Sequence, residues 1–239
     1  MTPGYYAAAT GMTASSQKYL QIARNLSSVS VPGHKREVGR FETFAEALGA
    51  QASTDGGGPT TVGFEEAGID FSQGSFKPTG APLDVAIDGE GFFVIEGGGR
   101  TLYTRNGSFR RTVNGELVTA DGARVQGESG AISLAEGSVQ IMHDGTLLVN
   151  SQPMDKLRVV SFETTKDMKR VGMATFATTA EPVAEDRPAL RPGFLEMSNV
   201  VIPNEMVELI GTFRGFEGGQ RAAQLQDDSL RSAISLVDQ

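Results

Sequence analysis

The chain has no cysteine, no tryptophan and only two histidines among its 239 residues. Without cysteine there can be no disulfide, no thiolate metal ligand and no cysteine nucleophile. His34 abuts the Pro32-Gly33 break and His143 precedes a turn, and neither lies near a nucleophile-elbow sequence. No apolar run approaches the roughly 20 residues of a membrane span, so no membrane span is expected. The opening MTPGYYAAATGM has neither a basic segment nor a long apolar stretch, so no cleaved secretory signal is expected. Basic clusters are also missing. With a net charge of −8 and no basic run long enough to track a phosphate backbone, the composition argues against nucleic-acid binding.

The remaining chemistry-bearing residues do not converge. Asp84, Asp88 and Glu90 flank a turn without the spacing of a calcium loop. Gly97-Gly98-Gly99 precedes a strand and not a helix, so it does not form a phosphate-binding loop. Aromatic residues are scattered and form no stacking platform. No catalytic, cofactor-binding or metal-binding set assembles, so the chain is expected to be no enzyme and to carry no cofactor.

Both ends of the chain do carry a pattern. Apolar or small residues recur at steps of three and four through Tyr5, Ala8, Met12, Ser15, Tyr19, Ile22, Leu26 and Val29. The same steps run through Ile202, Met206, Leu209, Phe213, Phe216, Gln220, Ala223, Asp227, Leu230, Ile234 and Val237. They average 3.5 residues, the period of a coiled-coil seam. The spacing predicts helices over about 5–29 and 203–237. Thr2-Pro3 suits a helix start, and Pro32-Gly33 ends the first helix. Both seams are soft, because small or polar residues occupy Ala8, Ser15, Gln220 and Asp227. Helices with such seams are marginal until packed. Four glycines (Gly211, Gly215, Gly218, Gly219) predict that the second helix is bent or packed closely on another backbone. Charge favours a partnership between the two ends. Residues 1–36 hold four basic residues and no acid, whereas 196–239 hold seven acids against three arginines.

Between the helices the chain predicts antiparallel β-structure. Asp88-Gly89, Asn106-Gly107, Asn114-Gly115, Asp121-Gly122 and Asp144-Gly145 are hairpin-turn signals, expected to form type I′ turns. Strands are expected at 83–87, 92–96, 101–105, 116–119, 139–142, 146–149, 157–163 and 173–178, in a barrel-like or sandwich module. Residues 34–48 are expected to be helical or extended, with Phe41 and Phe44 as anchors. The fold class is therefore α+β, with coiled-coil-type terminal helices flanking a mainly antiparallel β module. The expected domains are a discontinuous helical domain (1–48 and 194–239), a flexible connector (49–63) and a β-rich domain (64–193).

Three segments, in order, resemble the flagellar basal-body rod and hook family of axial proteins. ARNLSSVSVPGHKRE (23–37) resembles its helix-end signature, although Arg24, Ser28 and His34 depart from the usual residues. PLDVAIDGEGFFVIEGGGRTLYTRNGSF (82–109) is the strongest match and continues through NGELVTADGARVQG (114–127). GFLEMSNVVIPNEMVELIGTFRGFEGGQR (193–221) resembles the family's Leu-Glu-x-Ser-Asn-Val motif and terminal helix. The resemblance implies a structural subunit of the basal-body rod, in the periplasm-spanning part of the flagellum. It implies passage through the flagellar type III export apparatus without a cleaved signal. It also implies helical self-association alongside other rod and hook proteins, and transmission of torque. FRGFEGGQR (213–221) and the Pro32-Gly33 break resemble the proximal rod type more than the distal type, the alternative being a distal rod or related hook-basal-body axial protein. From seam position, Met12, Tyr19, Ile22, Leu26, Met206, Leu209, Phe213 and Phe216 are expected to form the subunit interface.

Overall fold

The computed structural model describes residues 3–43, 62–185 and 188–237. The fold is α+β. Its contacts divide the chain into two units, one drawn from 1–27, 37–68 and 201–239, the other from 28–36 and 69–200.

The first unit is built on two helices. Helix α1 spans Pro3–Ser27 and helix α2 spans Ile202–Val237. Proline fits the first turn of α1, where its missing N–H is no loss, and Arg24 in the last turn complements the helix dipole. The helices run antiparallel. Lys18 Nζ lies 3.6 Å from Glu208, and Asn25 Nδ2 lies 3.3 Å from Glu205. A Cβ on Gly219 would fall 2.8 Å from Met12 Cγ, and one on Gly215 would fall 3.9 Å from Ser15 Oγ. Close packing thus explains Gly219, while a Cβ at Gly215 would make only an ordinary contact, Gly211 and Gly218 face open space, and the helix continues through all four. Strands Arg36–Thr43 and Val62–Asp70 pair in a separate two-stranded sheet. Residues 34–48 are thus extended as far as they are described. Phe44 and residues 49–61 of the expected connector lie outside the described residues, and Val62 and Gly63 begin a strand.

The second unit is antiparallel throughout. Its central strand, Phe92–Gly97, pairs with Arg100–Thr104 on one side, and with Val159–Ser161 and Arg124–Gly127 on the other. Residues 92–95 form an unbroken apolar run because both faces are covered. Phe93 and Ile95 point into a core with Val85, Ile87, Phe109, Leu117, Leu147 and Leu157. Phe92 and Val94 point into a second core with Tyr103, Val160, Met168 and Phe176. In this second core Phe71 meets Phe92 and Phe176 edge-on, at 5.4 and 5.1 Å, and Phe162 meets Tyr103 at 4.9 Å. The aromatics that look scattered along the chain are gathered here.

The turns differ from expectation. A type I′ turn needs positive φ at both central residues. At Asn114-Gly115, Asp121-Gly122 and Asp144-Gly145 only the glycine has it. Two other loops have it at both residues. Gly98-Gly99 closes the hairpin from Phe92–Gly97 to Arg100–Thr104, and Asn150-Ser151 closes that from Thr146–Val149 to Gln152–Lys156. Asparagine is one of the few non-glycine residues that visit the left-handed region, and the Asn150 amide accepts the Ser138 N–H and donates to the Glu136 carbonyl. Gly107 does not supply a positive φ. It makes room, since a Cβ there would lie 1.7 Å from the Val85 carbonyl oxygen.

Candidate functional site

The antiparallel pairing of α1 and α2 decides which face of each helix remains available. Ala14, Ser15, Gln21, Ile22 and Asn25 on α1 are buried, as are Glu205 and Thr212 on α2. This seam is rich in small and polar side chains. Of the expected interface residues, Ile22 lies within it, and Met12, Leu26, Leu209 and Phe216 are half-buried beside it. Tyr19, Met206 and Phe213 are exposed, at 46%, 52% and 55%. On α2 the buried positions fall one residue before the expected ones (Glu205 for Met206, Thr212 for Phe213). The larger apolar residues therefore stay outside. Leu20, Val207 and Ile210 are exposed with them. A groove of about 200 Å³ between the helices is lined by Ser15, Ser16, Tyr19, Thr212, Phe213 and Phe216.

In the second unit, the segments that follow α1 and precede α2 are held by buried polar groups. The Lys35 ammonium, fully buried, donates to the Ser72 carbonyl and to Glu196 Oε1, each at 2.7 Å. Glu196 also accepts the Gly74 N–H at 2.9 Å. Arg105 lies 3.4 Å from the other oxygen of Glu196 and donates to the Gly89 carbonyl at 2.7 Å. Burial pushes the pKa values of Lys35 and Arg105 down, and the Glu196 carboxylate opposes it. Asn199 adds a second fastening. Its Oδ1 accepts the Arg36 N–H at 2.7 Å, and its Nδ2 donates to the carbonyls of Asp70 (2.8 Å) and Ser72 (3.1 Å). Nearby, His34 Nδ1–H donates to the Met173 carbonyl at 2.8 Å, and Ser28 is buried. Two departures from the family signature thus occupy enclosed positions.

These buried polar residues escaped the sequence reading, because a lysine beside a turn looks like surface. The available signal was position. Lys35 lies in the helix-end signature, and Glu196 and Asn199 lie in LEMSNV. Two of the residues weighed for chemistry have partners. Asp88 pairs with Arg191 at 2.6 Å, and His143 Nδ1–H donates to the Leu190 carbonyl at 3.1 Å. Among the described residues no group of three metal-ligating side chains occurs, and no helix is long and apolar enough to cross a membrane.

Two family models match the chain. The flagellar hook protein FlgE/F/G D1 domain covers residues 86–149, and the flagellar basal body rod FlgEFG protein C-terminal region covers 191–236. The chain is 31% identical to the flagellar basal-body rod protein FlgG of Borreliella burgdorferi over the full length of both. The chain belongs to the flagellar basal-body rod protein family. It is also 30% identical to FlgG of Caulobacter vibrioides, over 96% of this chain and 97% of the relative. To the rod protein FlgF of Escherichia coli it is 30% identical, over 95% and 96%. As a rod protein it is a structural component of the flagellar basal body. The C-terminal match begins in the strand Leu190–Pro192, covers LEMSNV and runs through α2 to residue 236. Glu196 and Asn199 of the enclosed anchor, and one of the two helices, thus belong to the family's matched region.

Proposed function

We propose that this rod subunit polymerises helically through its terminal helices and transmits torque in the proximal rod, together with other rod and hook proteins. The supporting observation is the apolar face that helix pairing leaves exposed: Tyr19, Leu20, Met206, Val207, Ile210 and Phe213. Large apolar side chains left exposed in such number mark an interaction surface. Heterologous contacts that do not close on themselves propagate a filament. The steps of three and four support coiled-coil packing of these helices in the assembly. In this reading 1–48 and 194–239 form the assembling domain, 64–193 the outer module and 49–63 the connector. The absence of cysteine and the soft seams suit export unfolded through the flagellar type III apparatus, without a cleaved signal, into the periplasm-spanning rod. The segment 213–221 and the Pro32-Gly33 break favour the proximal position over the distal one.

The test is substitution on the exposed face. Met206→Asp and Phe213→Asp should abolish rod assembly and swimming while leaving the circular dichroism of the monomer unchanged. Intact motility in both would sink the assembly reading. A photo-crosslinker at Tyr19 should capture neighbours on the inner, proximal side of the rod, and capture of hook-side neighbours alone would shift the subunit to the distal rod.

A further inference from the structure

Two residues of α1, one heptad apart, each touch two partners at once. Asn25, 1% exposed, offers its whole amide. Its Oδ1 accepts the Glu37 N–H at 3.0 Å, and its Nδ2 donates to the Glu37 carbonyl at 3.0 Å and to Glu205 Oε2 at 3.3 Å. Lys18 lies 3.6 Å from Glu208 and 5.3 Å from the centre of the Phe41 ring. Glu205 and Glu208 belong to α2, whereas Glu37 and Phe41 belong to the strand Arg36–Thr43. Within the first unit, α1 is therefore wired to α2 and to this strand through the same side chains.

The strand has little support of its own. Its sheet has two strands, and such a pair is marginal in water. Asn199 holds its first residue, Arg36, and its further contacts include an Arg24–Glu37 pair at 3.1 Å, an edge-on contact of Phe41 with Phe64 at 5.8 Å and an exposed Arg40–Glu65 pair at 3.4 Å. The Asn25 node differs because it is buried. Glu205 is fully enclosed, so pairing the helices in another register would withdraw the Asn25 donor from a buried carboxylate. Withdrawing a donor from a buried polar group is penalised more than the bond itself contributes. Much of the rest of the seam, with Ala14, Ser15, Thr212 and Gly215, is small, and Ile22 and the close Gly219–Met12 approach add packing.

We propose that Asn25 is a positioning residue that couples the two events: pairing of α1 with α2 in one register places its amide so that the strand beginning at Arg36 becomes ordered. Two hydrogen atoms on Nδ2 suffice for both jobs, one for Glu205 and one for Glu37. The strand pair thereby reports whether the helices have paired correctly.

The chain's lack of cysteine permits a direct test on the full-length protein. Ser15→Cys with Gly215→Cys places two thiols where the helices approach, and oxidation then enforces pairing whether or not the free subunit's ends are ordered. Amide hydrogen exchange is followed at 37–43 and 62–68, on both helices, and on Phe92–Gly97 as a control. Oxidation should slow exchange of the strand pair by about tenfold when Asn25 is present. With Asn25→Ala or Asn25→Asp in the stapled protein, the helices and the control strand should stay protected while the strand pair stays fast. A merely structural contact would lower helix and strand protection together. The proposal is overturned if the strand pair slows equally without Asn25, if it ignores oxidation, or if the staple cannot close. The assembly reading has a separate test, since loss of motility in the exposed-face variants does not depend on Asn25.

Discussion

The β unit buries large apolar side chains, and the helical unit leaves many of its own outside. Phe93, Ile95, Leu117, Leu147 and Phe176 are enclosed, whereas Tyr19, Met206, Val207 and Phe213 are exposed. The β unit completes its own core, even enclosing the charged cluster of Lys35, Glu196 and Arg105. The helical unit pairs internally mainly through small and polar residues with Ile22, and leaves several of its larger apolar ones exposed. The contrast suits the proposed assembly, in which the module would be stable alone and the helices would offer surface to neighbours.

Four predictions would break or sharpen that contrast. The largest effect belongs to Glu196→Gln, which strips the counter-charge from two buried cations. It should destabilise the β unit by about 3–5 kcal/mol, seen as a lowered urea midpoint; a shift below 1 kcal/mol would show that the cluster is hydrated. Asn199→Ala removes the amide that fastens Arg36, Asp70 and Ser72. It should cost about 2 kcal/mol, again in the β-unit transition and not in helix content. In the helical unit, two glycines should give opposite signs. Gly219→Val drives a side chain into Met12 and should weaken helix pairing by about 1–3 kcal/mol. Gly211→Ala meets nothing and should raise helix stability by roughly 1 kcal/mol. Equal effects at both glycines, measured by thermal melting of the helical signal, would remove the close antiparallel approach.

The smallest effect concerns acid. Hydrogen bonds from the Thr146 backbone and hydroxyl hold the Asp144 carboxyl below its usual 3.8. A carboxylate with a depressed folded-state pKa contributes fully above its unfolded value, and that contribution is lost as pH falls through the folded value. Because Asp144 is exposed, screening keeps the loss small. Asp144→Ala should therefore flatten the stability profile slightly below pH 4, and an unchanged profile would assign the acid response to other carboxylates.

Several parts of the fold were legible in the sequence for a definite reason. The helix ends show in Pro3 and in the Pro32-Gly33 break, because proline and glycine act on the backbone locally. The strand Phe92–Gly97 shows in its apolar run, and the family shows in three ordered motifs. Other parts were hidden because they depend on partners far apart in the chain. Lys35 meets Glu196 across 161 positions, and Asn25 meets Glu205 across 180. The scattered phenylalanines became a core only when the strands brought them together. The I′ turn at Asn150-Ser151 carries no glycine to announce it.

The sequence by itself determined the kind of elements, their order and the family, since periodicity, turn residues and motifs are properties of neighbouring positions. Only the tertiary structure decided which face of each helix is spent on pairing. Seam spacing alone leaves Glu205 and Met206, or Thr212 and Phe213, as rival choices one residue apart. The antiparallel register settles them, because it joins buried Glu205 to buried Asn25 and leaves Met206 and Phe213 exposed.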